Sequence, residues 1–439
     1  MTSPESTRLP HKMSDRFTVP FLRFLRIEAV AGAALFLAAV AALIVSNTAW
    51  SEPFHAFWQI PLGLQVGTWA YARPMQDWIN DGLMTLFFFI VALELKRELV
   101  LGELRHVRIA ALSFAGALGG MLVPAAIYLM MMLGRTGIHG WGSVMPTDTA
   151  FVIGCLALLG TRIPPTLRLF LLSLAIFDDI GAIIVTTVGY GHALHVMPLV
   201  LGIGGLTAIA GVSWLGVKSM SIYVLAGCAI WFCIDASGIH PTFTGVALGL
   251  MTPTGAWVKD ARLRAILERI LTHETGEHWS GDTNGRRDLR IARTAVTEAL
   301  SPVERLEIVL HPWVAFVIMP IFALANAGVT LSGVDTWQPV STAILAALVI
   351  GKPVGVMAFT WIAVRLGLAR QTAGLHWPLL AAGSLLTGIG FTMSLFIAEQ
   401  AYPPDLLDAA KIGILGASTL SAAIGLVFLV RHGFKNRNE

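Results

Sequence analysis

The run LRLFLLSLAIFDDIGAIIVTTVG, residues 167–189, decides the fold. About 20 consecutive apolar residues in a helix cross the hydrocarbon core of a bilayer. This run is long enough, yet it carries two adjacent carboxylates, Asp178 and Asp179, at its middle. A charge held at the bilayer centre costs roughly 2.5–3.5 kcal/mol or more, so a side-by-side pair marks a working site inside a membrane helix.

Composition extends that reading to the whole chain. Of 439 residues, 55% are apolar and only 13% charged, against about 25% charged in soluble domains. Mean hydropathy is +0.71. So few charges cannot cover the surface of a soluble protein of this length, and a net charge of +3 is too small for a nucleic-acid footprint. Cys155, Cys228 and Cys233 stand in apolar runs without metal-ligand spacing and read as small buried hydrophobes.

Apolar runs at 28–46, 80–101, 109–132, 142–160, 167–189, 196–216, 220–235, 239–252, 309–330, 341–363, 379–399 and 408–430 predict twelve transmembrane helices. The fold class is all-α, because an open strand edge does not survive in lipid. The organisation is a cytoplasmic tail at 1–27, spans 1–8 over 28–252, a cytoplasmic polar insert at 253–308, spans 9–12 over 309–430 and a cytoplasmic tail at 431–439. With a cytoplasmic N-terminus, 26 of the 30 Lys and Arg residues fall inside; the exceptions are Arg73, Arg135, Lys352 and Lys411. That asymmetry is the positive-inside pattern, and it puts both termini in the cytoplasm. Stretches 259–271 and 286–300 of the insert read as short surface helices. His273 and His278, near Glu274 and Glu277, lack the HExxH spacing that aims two ligands from one helical face, and read as a solvated loop.

Six charges in or near the spans stand out: Asp81, Glu94, Asp148, Asp178, Asp179 and Lys352. Asp81 and Glu94, near the ends of span 2, are equally readable as interfacial charges. Asp178 and Asp179 point about 100° apart on a helix, so both can line one cavity and meet different partners. At ~5 Å and an effective dielectric of 20, two carboxylates repel by about 3 kcal/mol. The pair therefore binds protons jointly, and a proton and a hard cation such as sodium or lithium compete for the same oxygens. Lys352, in LVIGKPVGV, calls for a carboxylate partner among Asp148, Asp178 and Asp179.

Two spans carry breaks. Pro146 interrupts span 4 at MPTDTA, where Thr147, Asp148 and Thr149 offer oxygens; Gly388, Gly390 and Thr392 interrupt span 11 at TGIGFTMS. Breaks in corresponding positions of two halves point to inverted repeats, here spans 3–5 and 10–12, around a midplane site. Facing half-helix termini need compensation, from Asp148 at the positive ends and Lys352 at the negative ends. The glycines of GALGG (116–120) and GIGG (202–205) read as packing only.

These motifs, with NDGLMTLFFFIVALELKREL (80–99), TDTAF (147–151), FDDIGAI (177–183), LHPWVAF (310–316), FALANAG (322–328), GKPVG (351–355) and GIGFTMSLFIA (388–398), resemble the NhaA-type sodium/proton antiporters from about residue 20 to 432. The resemblance implies that Asp178 and Asp179 bind the ion and carry protons, Asp179 as the more direct sodium ligand. Thr147 and Asp148 assist, and Lys352 pairs with Asp178. It implies that Asp81 lies on the outer side of span 2 and that Glu94, Glu98, His240 and Glu307 belong to the pH response. It also implies electrogenic export of one sodium for two protons, no cofactor beyond the transported Na+ or Li+ and H+, a bacterial inner membrane and a capacity to form homodimers. The sequence departs from the family pattern at Val144, where a proline is usual, at Ile308, where a histidine is common, and in its longer insert.

Two other readings fit less well. An intramembrane aspartyl protease needs aspartates on two helices, usually with GxGD; here the pair shares one helix and GIGF lacks the aspartate. A sodium-coupled carrier of organic anions is disfavoured by Lys352 and by the absence of a mid-membrane arginine.

Overall fold

The structure is a computed structural model. It describes residues 28–66, 69–102, 107–160, 163–191, 194–215, 220–255, 258, 260–271, 284–330, 338–371 and 374–435. The expected N-terminal tail, Lys218 and the His273–His278 stretch lie outside the described residues.

In chain order the elements are α1 (Glu28–Val45), α2 (Ser51–Trp58), β1 (Pro61–Val66), β2 (Trp69–Pro74), α3 (Met75–Val100), α4 (Val107–Met131), a 3-10 turn (Ile138–Val144), α5 (Thr149–Leu159) and α6 (Pro165–Gly189). There follow α7 (Val196–Trp214), α8 (Met220–Ala236), α9 (Thr242–Met251), α10 (Asp260–Leu271), α11 (Asn284–Ala299) and α12 (Pro302–Asn326). The last are α13 (Pro339–Arg365), α14 (Trp377–Leu386), α15 (Phe391–Ala401) and α16 (Pro404–Lys435).

Among the described residues the long apolar runs are helical. Among the described residues, α3, the α4 run from Ala110, the turn with α5, α6, α7, α12, α13 and α16 make eight helices long and apolar enough to cross a membrane. Helices α14 and α15, bent by 48° at their break, make a ninth span if taken together. The apolar parts of α1 and α8, and all of α9, are shorter. Helix α9 begins at Thr242, three residues after the expected start of its run at 239, because the chain turns through His240 and Pro241.

The all-α expectation misses one element. Strands β1 and β2 form an antiparallel hairpin, pairing Pro61 with Pro74 through to Val66 with Trp69. It lies between the first two apolar runs, where the bar on unpaired strand edges in lipid does not apply. The cysteines depart too: Cys155 is buried, but Cys228 is exposed on α8 and Cys233 is intermediate. A membrane helix can present an apolar side chain outward without meeting water.

The chain divides into two compact units, one of residues 1–80, 111–189 and 312–439, the other of 81–110 and 190–311. In the first unit, α4 and α13 approach until a Cβ on Gly119 would lie 2.1 Å from the Gly355 carbonyl, and the reverse. Within α13, a π segment (Ala347–Gly351) ends at Lys352. Pro353, which follows, cannot donate to the carbonyl four residues back, and the ladder loosens there. In the second unit, α9 lies against α3, where a Cβ on Gly245 would meet the Thr85 carbonyl at 2.1 Å. Helix α12 starts with a capping box: the Glu304 carboxylate accepts from the Ser301 N–H (2.9 Å) and hydroxyl (2.7 Å).

Candidate functional site

The site forms where two helices fail to be continuous. Residues 145–148 separate the 3-10 turn from α5, and residues 387–390 separate α14 from α15. The Asp148 N–H donates to the Ile389 carbonyl at 2.7 Å, so the two breaks meet.

One carboxylate closes two half-helices. Asp148 Oδ1 accepts from the Phe151 N–H at 3.0 Å, capping α5. Asp148 Oδ2 accepts from the Thr392 N–H at 3.0 Å and from the Thr392 hydroxyl, capping α15. Each helix N-terminus carries about half a positive charge, so two of them balance one fully buried carboxylate. Opposite in sign, Lys352 Nζ donates to the Met145 carbonyl, just past the C-terminal end of the 3-10 turn.

Lys352 also pairs with Asp178: Nζ lies 3.3 Å from Oδ2, and both side chains are wholly shielded from solvent. The Thr147 hydroxyl donates to the same Oδ2 at 2.6 Å and lies 3.2 Å from the Thr387 carbonyl. Asp178 Oδ1 is buried without a hydrogen-bond partner among the described residues. Asp179 is equally buried, and the Thr149 hydroxyl lies 3.5 Å from its Oδ2. The two neighbours on α6 thus face different partners. Together they form a buried, oxygen-rich centre of carboxylates and threonine hydroxyls, which suits a proton or a small hard cation.

The remaining sequence-predicted residues gather in the second unit, in two places. Asp81 Oδ1 lies 3.5 Å from His240 Nε2, and His240 Nδ1 is 2.7 Å from the Thr242 hydroxyl at the start of α9. Asp81 is only 8% exposed. The Thr85 hydroxyl bonds the Asp81 carbonyl and accepts from Trp231 Nε1 at 2.9 Å. Further along α3, Arg97 bridges Glu98 (2.9 Å) and Glu307 (2.5 Å), while Glu94 is half-buried on the same helix.

Sequence reasoning missed Thr392 as a partner of Asp148 and Arg97 as the bridge between Glu98 and Glu307. Both stand in quoted motifs, but nothing in a linear sequence pairs positions 244 or 210 residues apart. It also passed over a cavity of about 340 Å³ in the first unit, lined by His55, Gln76, Asp408 and the ion pair Glu399–Lys411 (2.6 Å). Gln76 Nε2 donates there to Asn326 Oδ1 at 3.0 Å.

The apolar helices are those of a polytopic membrane protein, and α6 carries a buried pair of carboxylates. A family profile described as Na+/H+ antiporter 1 matches residues 22–429. The chain is 56% identical over 431 residues to the Na(+)/H(+) antiporter NhaA of Rhizobium meliloti (strain 1021), covering 98% of this chain and 99% of that protein. It is 56% identical to Na(+)/H(+) antiporter NhaA 2 of Acidiphilium cryptum (strain JF-5), over 98% of this chain and 95% of that one. With Na(+)/H(+) antiporter NhaA 2 of Vibrio vulnificus (strain CMCP6) the identity is 50%, over 96% and 95%. The chain belongs to the NhaA family of sodium/proton antiporters, a family of membrane transporters.

Proposed function

We propose that the protein exchanges sodium or lithium for protons at Asp178 and Asp179, two protons entering for each sodium exported. The observation that carries this reading is the pair itself: two adjacent carboxylates, both buried, one held by Lys352 and Thr147 with an oxygen still open to a ligand. When the carboxylates are protonated, the oxygens hold sodium weakly; when sodium binds, the protons leave. Asp179 is the more direct ligand, Thr147 and Asp148 assist, and Lys352 balances charge. Unequal charge in the two directions makes the exchange electrogenic.

The proposed architecture is twelve spans. The nine long or bent ones are completed by the apolar helices of α1, α8 and α9, with inverted repeats at spans 3–5 and 10–12. Both termini face the cytoplasm of a bacterium across its inner membrane, consistent with the distribution of basic residues. Asp81, Glu94, Glu98, His240 and Glu307 serve access and the pH response, favouring the active state as internal pH rises. A homodimer is compatible with this scheme.

Reconstituted vesicles with imposed sodium and pH gradients test the proposal. Sodium addition drives opposite proton movement and generates a membrane potential, and Asp179→Asn abolishes both. Normal exchange in that variant removes the pair from the mechanism; exchange without potential removes the two-for-one ratio.

A further inference from the structure

The polar insert holds a second device. Helices α10 and α11 pack on each other, joined by an ion pair between Arg269 and Asp288 at 3.9 Å. Ala292 and Ala295 of α11 are buried on one face. About a quarter-turn away, Leu289 and Val296 are 39% and 53% exposed, seven residues apart, and Leu300, just past the helix end, is 42% exposed; they form an apolar stripe beside Arg290 and Arg293. Arg262, Arg264, Arg287, Arg290 and Arg293 are all exposed. The acidic side chains of the pair are partly taken up internally: Asp288 faces Arg269, and Glu298 pairs with Arg305 at 3.1 Å. The outward surface is therefore basic beside an apolar stripe, although the insert as a whole is close to neutral.

This hairpin cannot drift from the membrane. Only Leu300 and Ser301 separate α11 from α12, a helix apolar enough to span. The Glu298–Arg305 pair fixes the end of α11 to the first turn of α12, and the Val258 N–H donates to the Glu298 carbonyl at 3.2 Å. A helix with an apolar stripe flanked by arginines, tethered at the level where a span begins, has the properties of one that lies in the headgroup region of a bilayer.

We propose that the α10–α11 hairpin docks on anionic phospholipid headgroups, inserting Leu289, Val296 and Leu300 and placing Arg290 and Arg293 on lipid phosphates. Charge complementarity selects a lipid surface of net negative charge, since each arginine near such a surface strengthens attachment about fivefold.

The test uses the full-length protein in a Cys228→Ser/Cys233→Ser background, leaving Cys155 buried, with a spin label on Val296→Cys. A second, independent label sits on Leu289→Cys. The protein is reconstituted in phosphatidylcholine alone or in phosphatidylcholine with phosphatidylglycerol. At both positions the label becomes several-fold more accessible to dissolved oxygen than to a water-soluble nickel chelate when phosphatidylglycerol is present. Replacing Arg290 and Arg293 by Gln abolishes the change. Equal exposure of both labels to the nickel chelate in the two membranes overturns the proposal. So does insertion that ignores both lipid charge and the arginines, or immobilisation only when soluble protein is added, which assigns the face to a protein partner.

Discussion

The carboxylate of Asp148 accepts hydrogen bonds from both the backbone N–H and the hydroxyl of Thr392, 244 residues further along the chain. With its bond to the Phe151 N–H, this makes one side chain the cap of two half-helices. Losing a helix cap costs roughly 0.5–2 kcal/mol, and the loss here is doubled. Asp148→Ala lowers the thermal unfolding midpoint in detergent more than Thr392→Val does. Equal midpoints for wild type and Asp148→Ala would show the caps to be dispensable.

Lys352 and Asp178 form a fully buried ion pair. Removing one partner of such a pair costs about 3–5 kcal/mol, because the other charge is left stranded. Lys352→Ala and Asp178→Asn should each destabilise strongly, and the double variant by much less than their combined effect. Additive losses in a double-mutant cycle contradict this pairing.

Protons and sodium compete for Asp178 and Asp179 in the proposed exchange. Each proton displaced makes sodium binding about tenfold tighter per pH unit over the range where the pair is protonated. The sign is fixed: sodium binding strengthens as pH rises and weakens as it falls. Calorimetry in buffers of different ionisation enthalpy counts the protons released, and a count of zero sinks the competition.

Gly119 and Gly355 let α4 and α13 touch backbone to backbone. Forced overpacking of this kind costs about 1–3 kcal/mol, so Gly355→Val lowers stability, and it also displaces Lys352 three residues away. Thermal unfolding and transport are expected to fall together; an unchanged midpoint would mean that the helices separate freely.

Arg97 bridges Glu98 and Glu307. Glu307→Gln removes one carboxylate from Arg97 and moves the pH profile of transport, while Arg97→Gln moves it further by disconnecting both. Profiles that overlay wild type exclude this cluster from the pH response.

Much of the fold is legible because a bilayer allows few solutions. Apolar runs of sufficient length become helices, and Pro146 and the Gly388–Gly390 stretch announce where two of them break. The carboxylates of α6 are legible for the same reason, since a charge inside an apolar run has no cheap structural excuse. The β1–β2 hairpin escaped because it lies between the apolar runs, where that constraint is absent. The short helices escaped in part as well: composition sets whether a run is apolar, whereas turns such as His240–Pro241 set where its helix begins.

Partnership was the province of the tertiary structure. By itself the sequence determined a membrane protein with interrupted helices and an acidic pair, because hydropathy and backbone chemistry act locally. The residues alone left open which carboxylate meets Lys352, a pairing with Asp178 that only the family resemblance implied, and nothing in the sequence said what closes the α15 N-terminus or what bridges Glu98 to Glu307. Those depend on helices brought together across hundreds of residues, through close glycine contacts and hydrogen bonds between two broken backbones, and only the folded chain places the atoms within reach.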